Sequence, residues 1–326
     1  ASSGTYPGGA DSFAHLFEAS TLLDAIRSGN PWPIVEPLWY NGAQVTRYVG
    51  PAFACVLAAC EALAGGVLGG FVLFCGLVYL VGALGWYVVG RRLGRPWLSV
   101  VLGTLWFVLP ANLTALFVEG DLPRCLCLAM LPALLAALDA CLERGGRSRL
   151  AAFCGLVALS VLTSVGYAIL VGAGIVVYLV FHGLVHRSWG NGARVVLAAA
   201  LSCALCGLWL VPFVAGGGLA SASQLGAQGL GSTLASAWIG GQAGGIHLGI
   251  AATALVVLGL ACGRRPSRPA FLAAAALVLL TARTAQPVVG AVADVCRAGS
   301  LGLVSVALAL VLLALLRWRS LRRPVL

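Results

Sequence analysis

Asp11 and His15 stand four residues apart in a chain that carries only ten acidic residues among 326. At that spacing a carboxylate and an imidazole share one face of a helix, where they can hydrogen-bond, hold a cation together or take up a proton. The plainer reading of Asp11 is a helix N-cap, since it follows Gly8-Gly9-Ala10 and immediately precedes an amphipathic stretch. A second acidic site is Glu119-Gly-Asp121-Leu-Pro-Arg124, two carboxylates and an arginine bent together by Gly and Pro between two apolar runs. Such a group can hold a divalent metal ion or position an acceptor and an anionic leaving group. Its plainer reading is a solvated turn in which Asp121 caps the following helix.

The segments that must position these residues are those of a membrane protein. The chain is 60% hydrophobic and 9% charged, against about 25% charged in an ordinary soluble domain. Its mean hydropathy is +0.99. All twenty basic residues are arginines, and fifteen of them lie in short clusters between apolar runs, which does not make the patch that nucleic acid requires. The 11 cysteines lie almost entirely inside apolar stretches, Cys203 and Cys206 included, so neither a disulfide framework nor a zinc site is expected. The chain begins at Ala1 with no charged-then-apolar leader, so a membrane helix upstream is an expectation.

A hydrocarbon core of about 30 Å takes about 20 apolar residues. Nine runs qualify: 67–90, 97–118, 124–142, 150–163, 165–184, 195–214, 246–262, 270–282 and 299–316, of which 150–163 and 270–282 are short. The arginines cluster at 91, 92 and 95; at 144, 147 and 149; at 187 and 194; at 264, 265 and 268; and at 317, 319, 322 and 323. Two runs separate successive clusters, so all five share one face, and the positive-inside rule makes it cytoplasmic. Of the acids only Asp139 and Glu143 fall on that face.

Residues 49–64 decide where the N-terminal segment lies, because a span there would put it in the cytoplasm. Sixteen helical residues rise only about 24 Å, Pro51 opens the stretch and Glu61 lies within it. It therefore reads as a juxtamembrane helix, and residues 1–66 as an external loop with juxtamembrane helices. One of these is expected over 12–28, with Phe13, Leu16, Phe17, Leu23 and Ile26 as an apolar face and Gly29-Asn30-Pro31 as its stop. A membrane module follows at 67–214, then a flexible external loop at 215–245 and C-terminal membrane helices at 246–326. On the same external face stand Glu36, Arg283 and Arg297, with Trp238 in the loop and His247 just after it. Trp238 reads as a sugar-stacking ring or an interfacial tryptophan, His247 as a metal ligand or an interfacial histidine. His182 and His186, beside Arg187, suit a helix C-terminus.

Several short motifs resemble one family in order along the chain. They are Asp11-Ser-Phe-Ala-His15, Ile26-Arg-Ser-Gly-Asn-Pro-Trp-Pro33 and Leu38-Trp-Tyr-Asn-Gly42; Tyr87-Val-Val-Gly-Arg-Arg-Leu-Gly94 and Val118-Glu-Gly-Asp-Leu-Pro123; Leu159-Ser-Val-Leu-Thr-Ser164 and Gly207-Leu-Trp-Leu-Val-Pro-Phe213. They resemble the bacterial membrane proteins called 6-pyruvoyl-tetrahydropterin synthase-related, which in turn resemble the GT-C class of glycosyltransferases. The resemblance implies an all-α, GT-C-like polytopic bundle in the bacterial cytoplasmic membrane, with the N-terminal loop extracytoplasmic. It implies transfer of a sugar from a polyprenyl-phosphate-linked donor to an extracytoplasmic acceptor, with membrane lipid and that donor as partners and no nucleic acid. Asp11, Glu119 and Asp121 would be the catalytic carboxylates, and His15, Glu36, Arg124, Trp238, Arg283 and Arg297 the substrate-binding residues. A divalent metal, if used, would draw on Asp11, His15, Asp121 or His247. The rival expectation is a non-catalytic transporter or scaffold for lipid-linked carbohydrate.

Overall fold

A computed structural model describes residues 9–30, 35–36, 43–44, 50–143, 146–186 and 190–215. The expected spans 246–262, 270–282 and 299–316, the loop 215–245 beyond its first residue, and Trp238, His247, Arg283 and Arg297 lie outside the described residues. Within them the fold is helical: α1 (Ser12–Arg27), α2 (Pro51–Ala64), α3 (Val67–Arg92), α4 (Pro96–Phe107), α5 (Pro110–Thr114), a π-helical turn (Ala115–Glu119), α6 (Leu122–Glu143), α7 (Arg147–Thr163), α8 (Val165–His186), α9 (Gly190–Leu205) and α10 (Gly207–Ala215). Among the described residues the fold is all-α as expected, with one small addition: Val35–Glu36 (β1) pairs antiparallel with Ala43–Gln44 (β2), a two-residue ladder that carries Glu36.

α6 is the central helix, packed on α3, α7, α8 and α9. Its residues are buried nearly all the way round, including Leu134, Leu138 and Met130, as an apolar helix without a polar face must be. α3 runs parallel to it. Gly82 lies against Ala129 and Gly85 against Ala133, and at the far end Arg92 Nη2 donates to Asp139 Oδ2 at 2.8 Å and to Glu143 Oε2 at 2.9 Å. α8 runs the same way, with Tyr167 level with Asp121 and Tyr178 level with Asp139. α7 returns antiparallel to α6, the Cys127 thiol facing the Ser160 carbonyl. The Asn191 side chain at the start of α9 donates to Leu142 O at 2.8 Å. The bundle therefore has an arginine end, with Arg92 and Arg194 and the start of α7, and an opposite, acidic end with Glu119, Asp121 and Arg124. The only two acids that parity assigned to the arginine face, Asp139 and Glu143, are those that pair with Arg92.

α3 and α6, of 26 and 22 residues, are each long and apolar enough to cross a membrane. The expected span 97–118 is not one straight helix: α4 and the segment Asn112–Glu119 meet at 54°. The break falls where Pro110, which has no N–H to donate to the helical ladder, opens α5. Asn112 repairs part of the damage by donating its side-chain N–H to Trp106 O at 2.6 Å. The expected span 195–214 likewise divides into α9 and α10, bent by 73° where Cys206 O accepts from both Trp209 N and Leu210 N. The apolar side chains left on the outside of α3 and α4, such as Leu80, Leu84, Trp97 and Val100, suit a hydrocarbon surround rather than water.

α2 keeps both of its ends at the acidic end of the bundle. Gly50 N, before its first residue, donates to Thr163 O at the end of α7 at 3.2 Å, and Glu61 near its last turn lies against Gly70 at the beginning of α3. Phe53, fully buried, meets Phe74 edge-on at 5.7 Å. α1 covers α2, and Ser20 Oγ hydrogen-bonds both oxygens of Glu61, at 3.0 and 2.8 Å. The buried stripe of α1 is Ser12, Leu16, Ala19, Leu22 and Leu23. Phe13 and Ile26, expected on the apolar face, are about half exposed. At position 12 a small side chain is buried instead, because the backbone of Gly9 and Gly120 approaches it too closely for phenylalanine.

Candidate functional site

The acidic turn is built by a change of helix type. The π-helical turn Ala115–Glu119 widens the coil and ends at Gly120, whose φ of 72° is left-handed. There Asp121 N donates back to Ala115 O at 2.9 Å. A side chain at 120 is costly on two counts: the conformation disfavours L-residues, and a Cβ would overlap the hydroxyl of Ser12 and stand 2.6 Å from its backbone nitrogen.

That close approach is what joins the two acidic sites. Ala10 N donates to Val118 O at 3.1 Å and Asp11 N to Glu119 O at 2.9 Å. The loop that begins α1 is thus paired by main-chain bonds to the turn that precedes α6, across more than a hundred residues of sequence. Asp11 occupies the N-cap position of α1, yet its carboxylate makes no cap hydrogen bond, and the residue is exposed. The capping reading of Asp11 therefore fails: its main chain is fixed while its carboxylate remains open to a ligand.

Asp121 has the opposite fate. One oxygen caps α6 by accepting Arg124 N–H at 3.1 Å, and the other accepts Tyr167 Oη–H at 2.7 Å. Arg124 Nη1 bonds Glu119 Oε2 at 2.7 Å, with the two side chains only 11% and 15% exposed. The Arg124 guanidinium also lies over the Tyr167 ring, 5.6 Å from its centre. Glu119, Asp121, Arg124 and Tyr167 form a closed tetrad of charge-assisted bonds and one cation–π contact, each of which a low-dielectric setting strengthens. An arginine so engaged has part of its charge already met by Glu119, which competes with any incoming phosphate.

His15 donates its main-chain N–H to Asp11 O at 3.2 Å and sets its ring edge-on to Phe53 at 5.2 Å. Among the described residues no group of three or more His, Cys, Asp or Glu side chains gathers as a metal site, and both Asp121 oxygens are already taken. The structure brings together Asp11, His15, Glu119, Asp121 and Arg124. Glu36 stands in β1.

Tyr167 is the member of the tetrad that sequence reasoning missed. The legible signal is Ser164-Val-Gly-Tyr167, directly after the end of α7 at Thr163, where a tyrosine near the start of a new helix stands level with the acidic bend. Tyr167→Phe removes the donor and leaves the ring, so it is expected to cost about 1.5–3 kcal/mol, the range for hydrogen bonds to charged groups. Unfolding of the detergent-solubilised protein measures it, and a loss under about 0.5 kcal/mol refutes the bond.

A family model described as 6-pyruvoyl-tetrahydropterin synthase related domain, membrane protein, matches residues 46–326. The chain belongs to this family. The match covers α2 to α10, and with them the whole tetrad; Asp11 and His15 lie before its first residue. As a member of the 6-pyruvoyl-tetrahydropterin synthase-related family the chain is a membrane protein, in agreement with its two long apolar helices. It matches no curated protein and no solved structure.

Proposed function

We propose that this protein is a GT-C-type glycosyltransferase of the bacterial cytoplasmic membrane that moves a sugar from a polyprenyl-phosphate-linked donor to an extracytoplasmic acceptor. The observation that carries the reading is the Asp11 carboxylate, exposed and uncommitted to its own helix, on a main chain that two hydrogen bonds, from Ala10 N and Asp11 N, join to the acidic turn. Such a transfer needs a base for the acceptor hydroxyl and cationic help for the departing phosphate. Asp11 supplies the base, and the Glu119–Asp121–Arg124–Tyr167 tetrad is the rigid floor that holds it. Arg283 and Arg297, outside the described residues, are the proposed phosphate partners, with Trp238, His15 and Glu36 toward the sugars. The positive-inside rule assigns the arginine end to the cytoplasm, which puts Asp11 and α1 outside. The placing of both ends of α2 at the acidic end supports that choice.

The second reading is a non-catalytic transporter or scaffold for lipid-linked carbohydrate, and the closure of the tetrad favours it, because three of the charged residues are satisfied by one another. Reconstitution separates the two. Purified protein in liposomes with radiolabelled polyprenyl-phosphate sugars should yield labelled glycoside, and an impermeant thiol reagent should reach Asp11→Cys from outside whole cells. Lipid-linked sugar bound without product supports the scaffold, and labelling only after permeabilisation overturns the orientation.

A further inference from the structure

Ser12, His15 and Glu18 follow at three-residue steps along α1, and each has a buried polar atom, Ser12 Oγ, His15 Nδ1 and Glu18 Oε2, without a hydrogen-bond partner. Ser12 Oγ is packed between Gly9 and Gly120. His15 Nδ1 and Glu18 Oε2 point at each other across 3.9 Å, with the two side chains 13% and 18% exposed. Two buried groups of complementary chemistry are costly apart and cheap together. The terminal torsion of a glutamate is soft, and a small rotation brings the pair to the ~2.8–2.9 Å of a charge-assisted N–H···O bond. A bridging water fits less well, since two bonds of about 2.8 Å at a tetrahedral water hold their ends about 4.6 Å apart. The other groups beside the ring are Asp11, one turn before it, and the inert Phe53 of α2.

We infer that Glu18 is a positioning residue that holds His15 as its Nδ1–H tautomer, leaving Nε2 as a hydrogen-bond acceptor for a hydroxyl-bearing ligand beside Asp11. The hydrogen bond made by one ring nitrogen fixes the proton and so defines what the other nitrogen can do. His15 retains some exposure although Nδ1 is buried, so the open part of the ring is away from Glu18. Use of that acceptor for a sugar or other alcohol rests on the sugar-transfer reading; the tautomer itself does not.

The test reads the proton directly. Nitrogen-15 NMR of histidine-labelled protein in detergent, at a pH where imidazoles are neutral, distinguishes the tautomers. The chain holds four histidines, so His182, His186 and His247 are replaced by Gln to leave His15 alone. If that variant does not fold, the signal lost on His15→Gln in the full chain gives the same assignment. His15 is expected as Nδ1–H, although free imidazole side chains in water favour Nε2–H. Glu18→Leu should shift most of the population to Nε2–H, while Glu18→Gln, whose amide oxygen still accepts, should keep Nδ1–H. An Nε2–H tautomer in the unaltered pair, or no response to Glu18→Leu, overturns the inference. Neither result depends on whether the protein transfers a sugar, so failure here and failure of the transfer assay are distinct.

Discussion

Asp11→Asn should reduce sugar transfer by about 10²–10⁴-fold, the contribution typical of a positioned general base, while the protein folds and inserts as before. The expectation of intact folding is specific to this site. Asp11 makes no side-chain cap bond, its link to the acidic turn runs through its own main-chain N–H, and Asn is as good as Asp at an N-cap in any case. The substitution therefore removes a proton acceptor and little else, and unfolding should shift by no more than about 0.5 kcal/mol. Asp24→Asn is the control: that carboxylate is on the same helix, 77% exposed and paired at 3.5 Å with Arg27, and transfer should be unchanged. Initial rates with a radiolabelled lipid-linked donor decide the matter. Full activity in Asp11→Asn removes this carboxylate from the chemistry and, with it, the reason for placing the reaction at this end. A loss of activity that comes with a loss of folded protein would instead mark Asp11 as structural, and that outcome also refutes the base.

The features of this fold most readable in the sequence depend on long-range sums. The alternation of arginine clusters with apolar runs survives any local error of boundary, and the contacts of Arg92 with Asp139 and Glu143 and of Asn191 with Leu142 bring the described clusters to one end. The stop of α1 was readable for a local reason: Gly29 adopts a φ of 89°, and Asn30 N closes on Ala25 O at 2.8 Å. The bends were less visible. Hydropathy continues through Pro110 and through Cys206 with no change of sign; at the first, the missing N–H of the proline breaks a run of adequate length, and Asn112 supplies a donor to the Trp106 carbonyl left behind. The burial of Ser12 in place of Phe13 goes with the close approach of Gly9 and Gly120, a fact of two distant segments that no helical period contains. Of the two readings open for Asp121, the structure supports the helix cap, at Arg124 N, but in a largely buried turn and not a solvated one, and its second bond comes from Tyr167, in a helix 46 positions on. A carboxylate advertises charge in a sequence; it does not reveal which of its oxygens are already engaged.

Arg124 is where this distinction has its largest energetic consequence, because the same residue serves either as a fixed brace or as a free cation for a phosphate. The structure pairs it with Glu119 at 2.7 Å with both side chains largely buried, and removal of one partner from such a pair strands the other charge. Arg124→Leu should therefore destabilise the protein by about 3–5 kcal/mol. Glu119→Gln, which keeps an acceptor oxygen, should cost less, and the double variant Arg124→Leu/Glu119→Leu should recover part of the loss of Arg124→Leu, since the stranded carboxylate is gone. Arg124→Lys should restore only part of the stability: an ammonium can meet Glu119 but does not present a planar face to the Tyr167 ring. A double-mutant cycle on unfolding of the detergent-solubilised protein gives the coupling, which should exceed about 1 kcal/mol if the pair is a brace. Additive single effects of less than about 0.5 kcal/mol would mean that the two charges are independent in solution. Arg124 would then be free to meet an anion, and the phosphate-binding role assigned to Arg283 and Arg297 would pass to it.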